Sequence, residues 1–119
     1  MTQRTLTISQ SADWRAGLRQ AGALAAKGRY AGEVLNFETP AQLFKQLSDK
    51  RWELVRLAQG KGALPIRELA RLAGRDVKRV HEDVVALADL GLLERTESGG
   101  VICPFDSVHV DFLLEAAPA

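Results

Sequence analysis

The chain has 119 residues, with 16 Lys/Arg against 15 Asp/Glu (net +1), 46% hydrophobic and 26% charged. This length suits one compact domain with a modest core, and the composition is not that of a disordered chain. No apolar run approaches a membrane span and MTQRTLTISQ lacks the apolar core of a signal peptide, so a cytoplasmic protein without membrane contact is expected.

RTLTIS alternates Leu6 and Ile8 with Thr5 and Thr7, which predicts a strand. Ser11 then stands as an N-cap before WRAGLRQAGALAAKG, where Trp14, Leu18, Ala21 and Ala25 recur at helical spacing. EVLNFE, residues 33–38, alternates again and predicts a second strand. Thr39-Pro40 signals a helix start, with Leu43, Phe44 and Leu47 as its apolar stripe. Ser48 and Asp49 restart the pattern, and a further helix runs through KRWELVRLAQ to the glycines at 60 and 62. From Pro65 the spacing predicts a short helix over IRELARLAG, a tight break at Gly74, and a longer helix from about Asp76 to Leu90. LLERTESGGVICP reads as a hairpin whose tip is Ser98, Gly99 and Gly100. Val108, Val110 and Phe112 alternate with His109 and Asp111, a last strand expected to pair with the N-terminal ones.

The fold class expected is therefore α+β. Residues 1–38 form a strand-helix-strand extension for dimerisation or partner binding, and residues 39–119 form the functional domain. The lone Cys103 has no Cys or His at metal-finger spacing and reads as a buried small hydrophobe.

GRDVKRVHEDV, residues 74–84, holds the densest set of reactive side-chain types. A helical zinc site needs two histidines four apart, but His81-Glu82 is followed by valines at 84 and 85. Neighbouring side chains splay about 100° apart on a helix, so His81, Glu82 and Asp83 do not converge on one ion. With no phosphate loop, nucleophile elbow or CxxC pair, neither an enzyme nor a cofactor or metal is expected.

Helical phase offers another reading. With Val77, Val80, Val84 and Leu87 inward, Arg75, Lys78 and Glu82 face outward, Arg79 lies on the flank and His81 at the margin. Arg and Lys reach guanine edges in a major groove, a glutamate accepts from cytosine, and a helix N-terminus favours phosphate. Residues 1–60 carry nine Lys/Arg against five Asp/Glu and residues 61–119 seven against ten, so any nucleic-acid footprint is local. A solvated face, with Arg75, Lys78 and Arg79 paired to Asp76, Glu82 and Asp83, explains the same residues.

IRELARLAGRDVKRVHEDVVALADLGLLERTESGGV, residues 66–101, resembles the winged helix-turn-helix of MarR-like and ArsR-like regulators. The resemblance implies Ala70 as the small contact between two helices, Gly74 as the turn and Val80 as an inward position. It implies a recognition helix presenting Arg75, Lys78, Arg79 and Glu82 to double-stranded DNA. Lys61, Arg67, His81, Arg95 and Ser98 follow as phosphate or wing contacts. From Phe37 onward the chain is similar to prokaryotic MarR-like DNA-binding proteins, some of them encoded beside a small toxin as antitoxin and autorepressor. Leu64-Pro65 departs from the polar N-cap expected there, and the wing tip carries little charge beyond Arg95. The expected function is a transcriptional regulator, an autorepressor binding an inverted-repeat operator as a homodimer, with a protein toxin as a further partner. The alternative is a winged-helix module that binds protein and not DNA.

Overall fold

The computed structural model describes residues 4–11, 32–114 and 116. The predicted helix through WRAGLRQAGALAAKG lies outside them. The alternation around Leu6 and Ile8 is realised as β1 (Thr5–Gln10), and EVLNF as β2 (Glu33–Phe37). Four helices follow: α1 (Pro40–Gln46), α2 (Asp49–Ala58), α3 (Ile66–Ala73) and α4 (Val77–Leu90). Then come β3 (Glu94–Arg95), β4 (Val101–Ile102) and β5 (Ser107–Asp111), which makes the protein an α+β fold.

The chain forms two units. One holds Thr5–Ser11, Gly32–Lys45 and Ser107 onward; the other holds Arg4 and Gln46–Asp106. This division departs from a boundary at residue 38. In the first unit β1 is central, with β2 and β5 both parallel to it in the order β2-β1-β5, so the last strand belongs with the first two. Leu6 lies opposite Val108 and Ile8 opposite Leu35 and Val110, which puts these apolar side chains on one face. Asn36 Nδ2 donates to the Ser11 carbonyl at 2.9 Å, and Ser9 Oγ pairs with Asn36 Oδ1 at 2.9 Å. Thr39 Oγ1 accepts from Gln42 N–H at the start of α1. Of the stripe predicted for that helix, Leu43 and Leu47 are buried, whereas Phe44 is exposed and meets Phe112 edge-on at 5.6 Å.

In the second unit α2, α3 and α4 pack mutually around Leu54, Val55, Leu69, Ala70, Val80, Val84 and Leu87, all buried. Ser48 and Asp76 cap α2 and α4 through their side chains. Ala70 and Val80, like their neighbours on this face, are almost wholly withdrawn from solvent. Gly74 sits at φ 65°, where a side chain is strained, and its N–H returns to Arg71 O while Arg75 N–H returns to Ala70 O. These two bonds close α3 and reverse the chain into α4 without a linker.

β3 and β4 pair antiparallel, Glu94 with Ile102 and Arg95 with Val101, as the hairpin reading required. Leu64, just before α3, bridges to the far side of Val101 through two backbone hydrogen bonds of 2.8 Å. Cys103 is buried, and burial pushes its thiol pKa upward, as befits a small apolar side chain. No helix among the described residues is long and apolar enough to cross a membrane.

Candidate nucleic-acid interface

Three segments of the second unit surround an open groove of about 930 Å³: the approach to α3 (Ala63–Arg67), the first turn of α4 (Asp76–Lys78 and His81) and the hairpin tip (Thr96, Ser98–Gly100). Its architecture follows from local chemistry. The Gly74 reversal sets the N-terminus of α4 beside α3, and the Leu64–Val101 bridge ties the hairpin to the α3 entrance. Thr96 shapes the tip: its Oγ1 accepts from Gly100 N–H at 2.9 Å and lies 3.1 Å from Ser98 Oγ. A Cβ on Gly100 would stand 2.7 Å from the Leu64 carbonyl oxygen, too close for van der Waals contact. Gly100→Ala is therefore expected to push the hairpin off the Leu64 segment and to cost about 1–3 kcal/mol. Urea unfolding checks this, and an unchanged midpoint would show that the hairpin gives way freely.

Of the nine residues expected to contact DNA, the structure gathers Arg67, Lys78, His81 and Ser98 on the groove, all exposed. Arg79, Glu82, Lys61 and Arg95 are exposed as well but do not line it. Arg75 departs from the outward position read from helical phase. It turns inward, its side chain only 18% exposed, and its Nη2 meets Asp83 Oδ2 at 2.8 Å. Arg51 on α2 holds the other oxygen of the same carboxylate, Nε to Oδ1 at 3.1 Å, and donates through Nη1 to the Gln46 carbonyl at 2.8 Å. Asp83 thus clamps α2, α4 and the α3–α4 turn together. Val77, expected inward, is 42% exposed, and the first turn of α4 presents it to the groove. His81 is exposed rather than marginal.

The surface cations fall into two groups. Arg56 pairs with Glu53 and Arg71 with Glu68, and each guanidinium holds its carboxyl below the usual range through a direct hydrogen bond. Among the described residues Arg67, Lys78, Arg79, Lys61 and Arg95 have no ion-pair partner. The two helix N-termini differ likewise. Asp76 accepts from Arg79 N–H at 3.3 Å, which takes up one donor of α4 and sets a negative charge there. Pro65 has no side-chain cap to offer α3, so the N–H groups of its first turn stay available beside Arg67. Sequence reasoning treated Pro65 only as a departure and passed over Thr96. The Thr-x-x-x-Gly spacing that lets one hydroxyl bond the later N–H was the available signal.

These features define a small α+β domain with an open, cation-flanked groove between two helix N-termini and a hairpin. The chain belongs to the HVO_A0114 family, whose model matches residues 46–110 and so takes in the whole groove. No curated protein and no solved structure matches it.

Proposed function

We propose that the protein is a sequence-specific DNA-binding regulator, an autorepressor, using Gln46–Asp106 as a winged helix-turn-helix. One observation carries this reading: Arg67 and Lys78, both exposed and without ion-pair partners among the described residues, flank one groove at the starts of α3 and α4, with the hairpin tip opposite. Arg67, Lys78 and the uncapped N–H groups of α3 suit phosphate, and Arg79 in the first turn of α4 suits base edges. A homodimer would set two such helices in major grooves about one helical turn apart, on an inverted repeat. The likeness to antitoxin autorepressors extends the proposal to a toxin partner encoded beside the gene.

Gel-shift titration with the DNA upstream of the protein's own gene tests the reading. Saturable retention is expected, with an affinity that falls with salt by a slope near −0.9 for each phosphate neutralised. Equal retention of unrelated DNA would overturn sequence specificity. The apolar part of the groove, Pro65, Ile66 and Val77, favours a second reading as a protein-binding module. Retention by a neighbouring gene product with none by DNA would support that alternative.

A further inference from the structure

β5 is an open sheet edge. Among the described residues it has β1 on one side and no strand on the other, so alternate backbone N–H and C=O groups point outward without ladder partners. Edges are ordinarily blunted by Lys, Pro or bulges. SVHVDFLL, residues 107–114, contains no Lys, Arg, Gly or Pro. All of β5 but Val108 is exposed, and beyond it Leu113 and Leu114 are 68% and 80% exposed. β2, the opposite edge, is exposed only at Val34.

We propose that β5 pairs antiparallel with β5 of a second copy about a two-fold axis through Val110, joining two three-stranded sheets into one. An axis perpendicular to the sheet keeps each face on its own side, so it must pass through a residue. Centred on His109, it would set imidazole against imidazole; centred on Asp111, carboxylate against carboxylate. Centred on Val110, it sets His109 opposite Asp111 of the second copy, twice by symmetry, while Val110 meets Val110 and Val108 meets Phe112. In this register an imidazole N–H donor faces a carboxylate acceptor, and the apolar residues continue the face that carries Leu6 and Ile8.

This interface serves the homodimer proposed above and is tested without DNA, so its failure and that of the DNA reading are separable. Sedimentation of the full chain is expected to show a dimer. His109→Asp opposes two carboxylates at both symmetric positions and should raise the dimer dissociation constant about tenfold or more. His109→Asp with Asp111→Lys recreates complementary pairs and should restore it. In a Cys103→Ala background, Val110→Cys should form a disulfide-linked dimer under mild oxidation, while Val34→Cys on the other edge should not. A monomer at every concentration, a dimer indifferent to His109→Asp, a folded double variant without rescue, or cross-linking through position 34 instead of 110 would overturn the proposal.

Discussion

Replacing Asp83 with alanine is expected to lower folding stability by about 3 kcal/mol and the melting temperature by roughly 10 °C. The carboxylate is 18% exposed and takes charge-assisted hydrogen bonds from two guanidiniums, Arg51 and Arg75, themselves 22% and 18% exposed. Its removal leaves two cations largely withdrawn from water, and Arg75 Nη1 is already buried without a hydrogen-bond partner among the described residues. The cost comes from that uncompensated desolvation more than from lost attraction. Arg56→Ala, which breaks an exposed pair one turn along α2, should leave the unfolding midpoint unchanged within error. Denaturant titration of both variants checks the contrast, and a loss below about 1 kcal/mol for Asp83→Ala would mean that water screens the clamp. Arg75→Ala is accordingly expected to act on stability, not on the choice of base.

Arg75 also shows where sequence reasoning stops. Helical phase placed Val80, Val84 and Leu87 correctly because burial within one helix repeats with its own period. A long side chain next to a turn follows its partner instead, and Asp83 with Arg51 across the packing could be paired to it only once three helices were assembled. Val77 failed for a related reason: the stripe predicts a buried valine, but the first turn of α4 opens onto the groove. The hairpin was legible from Ser98-Gly99-Gly100, while the Leu64–Val101 bridge, a single residue pairing across many others, leaves no periodic trace. Strand alternation located β5 and its sheet. Its parallel pairing and its membership of the unit that holds β1 and β2 are consequences of chain path that alternation does not encode. The groove was half legible, since residue type marked Lys78 and Arg67, whereas their having no ion-pair partner among the described residues depends on where the assembled helices carry the acids.

That freedom leads to the largest effect expected on binding. If the groove receives a phosphate backbone, Lys78→Ala should weaken retention of the upstream DNA roughly tenfold and reduce the salt slope by about one. Charge reversal at both positions, Lys78→Glu with Arg67→Glu, should abolish retention, since each change also adds repulsion beside Asp76. Both side chains are exposed and without ion-pair partners among the described residues, so the double variant should keep its melting temperature within a few degrees. This combination separates an interface from a scaffold: on the DNA reading Asp83→Ala is expected to lose stability first and binding only through it, whereas the groove variant is expected to lose binding alone. Arg79→Ala, exposed on the same turn but outside the groove, divides the remaining possibilities. If it alters preference among operator variants at an unchanged salt slope, Arg79 reads bases while Lys78 and Arg67 hold phosphate. Undiminished DNA binding by the double reversal would remove the groove from the binding surface and turn attention to a protein partner on its apolar wall.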